Sequence, residues 1–345
     1  MNEQQQLIKD TLNRVLTDLC DPHVVDRSES GEWAALLWDT LTETGLTAAG
    51  IPEAAGGSGG DIEDSLLVIK EAARFAAPVP LAEHFIAGML LTQCGGVISP
   101  EPHTVGAGAF SLDDSLMLTG SATGVAFGRW AKFMVVVASH PKGDKLCRVP
   151  ISECVLVEHL SVAGEPRDDV TVSMTLDAGS VFDAGQDLAS KIVYLGAATR
   201  CAMMAGALES VLELSVQYSM DRTQFGRPIS KFQAIQQQLA IMAGEVAAAQ
   251  MAGHAAAAAV VSGEDLDIAI GKARVGEAVS ACTDIAHQVH GAMGYTMEHS
   301  LNHRTRRLWC WREEYGNERV WQQVVGKAFI SGGADQLWGQ VTSRR

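Results

Sequence analysis

The chain has 345 residues, 47% of them apolar and 19% charged, the balance of a globular protein with a large core and room for two or three domains. A formal net charge of −15 excludes a surface built for nucleic acid or anionic lipid, since both reward basic patches. No apolar run is long enough to span a bilayer, the first residues carry no leader pattern, and the seven cysteines are scattered without a CxxC pair, so a cytoplasmic protein with reduced core thiols is expected.

Ile8, Leu12, Val15, Leu16 and Leu19 recur at helical spacing and predict an amphipathic helix over about 3–19. A second is predicted over about 31–44, with Trp33, Leu37 and Leu41 inward and Gly45 as its stop. The loop Gly56-Gly57-Ser58-Gly59-Gly60 lacks the lysine of a phosphate loop and follows no clear strand, so it reads as a turn. Asp61 caps a helix expected to run to about 77, where Pro78 and Pro80 end it, and another is expected over about 81–91. Residues 1–103 are thus a helical block.

The language changes near Thr104. Short runs at 116–119, 133–138 and 154–157 are apolar, and Val170, Val172, Met174 and Leu176 alternate with Thr171, Ser173 and Thr175. Period-two alternation broken by Gly, Pro and Asp is the signature of strands. A small antiparallel β domain, barrel or sandwich, is expected over 104–186. From 187 to 345 the period is helical again, with helices expected over 187–220, 230–261, 265–292 and 304–332. Phe232, Ile235, Leu239, Met242 and Val246 form one seam padded by alanines, which suits a four-helix bundle.

Between the first two bundle helices stands Tyr218-Ser219-Met220-Asp221-Arg222-Thr223-Gln224-Phe225-Gly226-Arg227-Pro228-Ile229, followed by Phe232-Gln233-Ala234-Ile235-Gln236. Gly226 and Pro228 break the periodicity there. By residue chemistry alone this is either a solvated turn or a clamp for an anion with a flat, stackable part. A second punctuated stretch, Gln288-Val289-His290-Gly291-Ala292-Met293-Gly294-Tyr295, closes the third bundle helix. His287, His290, His299 and His303 have helical spacing, but no acid or cysteine stands at a convincing offset, so no metal is expected.

Both stretches resemble diagnostic segments of the acyl-CoA dehydrogenase family, and the order of helical block, β domain and helical bundle resembles the family over essentially the whole chain. The resemblance implies FAD as cofactor, an acyl-CoA thioester as substrate, α,β-dehydrogenation as reaction, and an electron-transfer flavoprotein as electron acceptor. It also implies that Arg222 pairs with the pyrophosphate of a FAD held mostly by a neighbouring subunit. An arginine fork suits phosphate oxygens. Gln224 and Phe225 would line the adenosine end, with Gln233 beside them. Gln288, Gly291 and Gly294 would let backbone approach the pyrophosphate; Ala292 replaces a glycine of the family segment.

The chain departs from the family where the chemistry is most demanding. The usual base is a glutamate directly before Gly-Thr; here Glu313-Glu314-Tyr315-Gly316-Asn317 puts tyrosine in that place. Glu314, one residue away, is the candidate catalytic base. The alternative base position, early in the first bundle helix, falls near Gly196, which has no side chain. The family's Thr-Glu-Pro segment is missing, and the stretch from Thr119 to Ala131 lacks its flavin-facing Trp-x-Thr-Asn. Three readings follow: a subunit that completes the FAD site of a catalytic partner, as in paired dehydrogenases for bulky sterol-derived acyl groups; a self-sufficient homotetramer using Glu314; or a non-catalytic scaffold.

Overall fold

The computed structural model describes residues 2–185 and 187–342. It divides into two compact units, Met1–Gly196 and Ala197–Arg345.

The first unit opens with five helices: α1 (Glu3–Leu19), α2 (Pro22–Glu29), α3 (Ala35–Glu43), α4 (Ile62–Arg74) and α5 (Leu81–Gln93). Caps fix their starts. Asn2 and Gln5 form a reciprocal capping box on α1, and Asp61 and Asp64 do the same on α4. The helix α2 was not legible in the apolar spacing; Asp21 at its N-cap and Pro22 at its first position are its signals. Helix α3 starts later than expected, so Trp33 lies before it. Helix α4 stops at Arg74, short of 77, because Ala76 takes a positive φ of 54°. Leu12, Leu16, Leu37, Leu41, Ile86 and Leu90 form the buried centre. The glycine-rich loop packs on itself: a Cβ on Gly57 would sit 1.9 Å from the Ile51 carbonyl oxygen. Its glycines serve the turn.

The strands are β1 (His103–Gly106), β2 (Gly108–Leu112), β3 (Met117–Ala126), β4 (Phe133–Ala138), β5 (Lys145–Pro150), β6 (Val155–Val157), β7 (Arg167–Thr175) and β8 (Val181–Asp183). They form two four-stranded sheets, in the orders β1-β4-β5-β8 and β2-β3-β7-β6. The inner faces share one core, in which Phe110, Leu118 and Val172 meet Met134, Val136 and Val149. Pairing is not wholly antiparallel as expected: β1 runs parallel to β4. The intervening β2–β3 hairpin lies in the other sheet, so the chain returns to β4 by a crossover.

Two histidines are entombed where α5 meets β1. His84 and His103 are both fully buried, their rings 5.3 Å apart, and the His103 amide donates to His84 Nδ1. Burial depresses both, His84 to about 3 and His103 to about 4, from an ordinary 6.5. The folded state therefore binds fewer protons than the unfolded one between these values and 6.5. Stability is full above pH 6.5 and is lost as pH falls through that window. At pH 5 the expected loss is about 2 kcal/mol per histidine, read as a lower denaturant midpoint. His84→Phe with His103→Phe is expected to flatten the profile; an unchanged slope would contradict the assignment.

The second unit is helical, with the division between the units falling inside α6 (Leu188–Asp221). A two-residue hairpin, β9 (Thr223–Gln224) and β10 (Arg227–Pro228), leads to α7 (Gln233–Ser262), α8 (Asp265–His290), α9 (Leu301–Glu313), α10 (Glu318–Gly332) and α11 (Ala334–Thr342). The α7 core face is Met242, Val246, Ala249, Gly253, Ala256 and Ala259. The first part of the expected seam, Phe232, Ile235 and Leu239, is only half-buried. Small residues bring helices together: a Cβ on Gly271 of α8 would lie 2.8 Å from the Ala256 Cβ. The helix expected over 304–332 is two helices. Glu314 leaves the helical region with ψ 139°, Tyr315 takes φ 54° and Gly316 φ 92°, after which Asn317 caps α10. Among the described residues no helix is long and apolar enough to cross a membrane.

Candidate functional site

The Arg222 stretch folds as a hairpin whose two central residues, Phe225 and Gly226, both have positive φ, 52° and 78°. The Arg222 amide donates to the Tyr218 carbonyl at 2.9 Å, and its own carbonyl accepts from Ile229 at 2.8 Å. The backbone is thus fixed while the side chains stand out. Arg222, Gln224, Arg227 and Gln233 are exposed, and Phe225 is 93% exposed. Phe225 meets Phe232 edge to face at 6.1 Å, and the Arg227 guanidinium lies 4.4 Å over the Phe232 ring. The Arg222 side chain has no hydrogen-bond or ion-pair partner among the described residues. The tight hairpin requires the left-handed conformation at both central residues, and holding a non-glycine residue there costs roughly 1–2 kcal/mol.

The second motif sits beside the first. Tyr218, four residues before Arg222, stacks on His290 with ring centroids 4.5 Å apart and planes inclined by 26°. His290 Nδ1 is 2.8 Å from the Ala286 carbonyl, and burial lowers its pKa to about 4, so the stacked ring is a neutral imidazole. His299 packs on both rings, at 4.8 Å from His290 and 5.9 Å from Tyr218. His287 stacks between Tyr295, at 4.4 Å, and Trp309, at 5.7 Å. These histidines are packing groups. No cluster of three or more metal-ligating side chains exists among the described residues.

The two glycines of the second motif have different reasons. Gly291 ends α8 with φ 59° and ψ −139°, and a Cβ there would meet nothing within 4 Å, so its backbone is open to approach. Gln288 is exposed one turn earlier. Gly294 is buried: a Cβ would lie 3.0 Å from His290 Cβ and 3.2 Å from His287 Nδ1. Its smallness serves the histidine stack first. Gly294→Ala is expected to cost about 1–3 kcal/mol by overpacking, seen as a lower thermal midpoint, whereas an unchanged midpoint would show the stack yields freely.

Glu314 lies elsewhere in this unit. It is the C-cap of α9 and not on the helix, and its Oε2 accepts from Arg200 Nε at 2.6 Å. Arg200 is 1% exposed, and its guanidinium lies 5.3 Å from the centre of the Tyr315 ring. Lys272, fully buried, donates to the carbonyls of Arg312 and Gly316, both at 2.8 Å. Trp321 Nε1 reaches the Tyr315 carbonyl at 3.0 Å. The turn that carries Tyr315 is therefore built on two buried cations. Neither Arg200 nor Lys272 was singled out from the sequence; a charged residue in an otherwise apolar helical face is the signal that marks them.

In the first unit, the strand expected to lack flavin-facing polar groups has a bulge between Ala122 and Val125. Gly124 stands there exposed at φ 66° with nothing near its Cβ position. Val125 and Ala126 are buried. The strand end is locked by an ion pair of Arg129 with the fully buried Asp168.

Family models for the acyl-CoA dehydrogenase N-terminal domain and C-terminal domain match residues 2–96 and 183–330. A relative, acyl-CoA dehydrogenase IpdE2 of Mycolicibacterium smegmatis, is 28% identical over 316 residues, which cover 87% of this chain and 91% of the relative. Among solved structures, the ChsE4-ChsE5 complex from Mycobacterium tuberculosis matches at a TM-score of 0.87 and 21% identity, over 96% of this chain and 98% of the other. A Tcur3481-Tcur3483 steroid ACAD variant matches at a TM-score of 0.85 and 22% identity, over 96% and 99%. At such identities the two structures establish the shared fold.

Proposed function

Since this chain belongs to the acyl-CoA dehydrogenase family, a family of FAD-dependent oxidoreductases acting on CH–CH bonds, we propose that it is the subunit that completes the FAD site of a catalytic partner of the same fold. The observation that carries this reading is an asymmetry. The corner made by Arg222, Gln224, Phe225, Gln233, Gln288 and Gly291 is preorganised and open, with an unengaged guanidinium beside exposed backbone and an aromatic ring. The base position holds Tyr315, and the nearby carboxylate of Glu314 is engaged by Arg200.

These residues fit a dinucleotide. Arg222 offers a planar fork to phosphate oxygens, and Gly291 leaves room for backbone to approach them. Phe225 offers its face to a purine. The net charge of −15 makes such local cations necessary for holding a pyrophosphate. When bound, FAD supplies the hydride acceptor for desaturation of an acyl-CoA thioester. Proton abstraction at the α carbon then falls to the partner's base. Glu314 serves that role poorly, because its carboxylate is already engaged by the buried Arg200 guanidinium. Two of the solved structures of this fold carry paired names, one of them a steroid ACAD, which supports a hetero-oligomer acting on a bulky, sterol-derived acyl-CoA. An electron-transfer flavoprotein would accept the electrons.

The test is purification of the chain alone and together with an acyl-CoA dehydrogenase-like partner. The paired form is expected to hold FAD and oxidise acyl-CoA, and the lone chain to do neither. Stoichiometric FAD and turnover in the lone chain would overturn the proposal.

A further inference from the structure

A feature of the first unit lies apart from the dehydrogenase motifs. An open cleft of about 550 Å³ is lined by three indoles, Trp33, Trp38 and Trp130, together with Asp39, Glu43, Glu101 and Lys132. Three of the protein's seven tryptophans meet there from separate parts of the chain: the segment before α3, the buried face of α3, and the turn after β3. Trp33 and Trp130 have ring centroids 5.4 Å apart and planes inclined by 41°; Trp33 and Trp38 are 6.1 Å apart at 43°. Trp38 is fixed by an Nε1 hydrogen bond to the Pro100 carbonyl and is 3% exposed. Trp33 and Trp130 are only half-buried.

The charges around the rings are unbalanced. Glu101 and Lys132 line the cleft together, and their opposite charges offset each other. Asp39 and Glu43 do not offset. They stand four residues apart on α3, both exposed, and neither has an ion-pair or hydrogen-bond partner among the described residues. Like charges at that spacing destabilise a helix. No ion pair among the described residues repays that cost, which is about 0.2–0.5 kcal/mol. A cation in the cleft would, because indole faces carry negative quadrupole potential and a positive group within about 6 Å of a ring centroid is attracted to it.

The geometry points to a binding site for an organic ammonium ion with apolar substituents, seated against the indoles and balanced by Asp39 and Glu43. This goes beyond the dehydrogenase reading and does not depend on it. An inorganic cation would not use the rings, and a neutral apolar molecule would not use the carboxylates.

Calorimetric titration of the full chain with choline, and with its neutral isostere in which carbon replaces nitrogen, tests the assignment. Choline is expected to bind saturably, and the isostere at least about tenfold more weakly. The double variant Asp39→Asn, Glu43→Gln touches only exposed side chains and is expected to weaken choline about tenfold. Trp130→Phe is expected to retain part of the affinity that Trp130→Ala loses, with circular dichroism verifying the fold of each. Equal binding of choline and isostere would overturn the proposal, as would no saturable heat with folded protein or an unaltered affinity in the double variant.

Discussion

Arg222→Ala is expected to strip FAD from the assembled oligomer, weakening its retention about 10- to 100-fold without lowering the thermal midpoint of the isolated chain. A charge-assisted hydrogen bond is worth roughly 1.5–3 kcal/mol, and about 1.4 kcal/mol is a factor of ten in affinity. The fold should be indifferent, because the side chain is exposed and makes no ion pair among the described residues. The hairpin is held by backbone bonds that alanine keeps. Arg222→Lys should recover only part of the loss, since an ammonium presents a point charge where the guanidinium presents a fork. FAD content is read by absorbance after gel filtration of the complex at fixed ionic strength, because exposed charge pairs are screened by salt. Retention within about twofold of the unmodified complex would remove Arg222 from the site. A complex that no longer assembles would assign the residue to the interface instead.

Much of this was legible in the residues, for physical reasons that can be named. Helix α1 and the start of α4 were readable because apolar spacing and a side-chain cap coincide at Asn2 and Asp61. Strand β4 was readable because Phe133 to Ala138 is a continuous apolar run buried on both sides. Strands β1, β2 and β5 were not, because their sequences carry glycine, lysine or arginine, and β8 was not, because it is only three residues long. The break at Glu314 was hidden for a different reason. Its apolar spacing continues across the turn, while the conformation rests on Tyr315 at positive φ and on tertiary hydrogen bonds from Lys272 and Trp321. Periodicity reports faces; it cannot report a turn imposed by a buried ammonium forty-odd residues away. The same limit applies to the joining of the two ligand motifs. Tyr218 and His290 are far apart in sequence, and only their ring stack shows that Arg222 and Gly291 belong to one corner.

Lys272 is the residue on which that turn should depend most. It is fully buried, and its ammonium bridges the carbonyl of Arg312, at the end of α9, to that of Gly316, in the turn itself. Lys272→Ala is expected to cost about 2–4 kcal/mol, from an unpaired helix-end carbonyl together with the cavity left by the side chain. Lys272→Met keeps most of the volume and removes a buried charge, so its cost should be distinctly smaller. The pH profile separates the charge from the packing. Burial lowers the Lys272 pKa from 10.5 to about 8. Between those values the unfolded state binds the extra proton, so this group's contribution to stability rises with pH from about 8 to 10.5 and is flat below 8. Chemical denaturation across that range should show the rise in the unmodified protein and not in Lys272→Met. If the two profiles run parallel, the lysine is not the titrating group. If Lys272→Ala unfolds within about 0.5 kcal/mol of the unmodified chain, Tyr315 keeps its left-handed conformation without Lys272, with Trp321 and Arg200 among its supports.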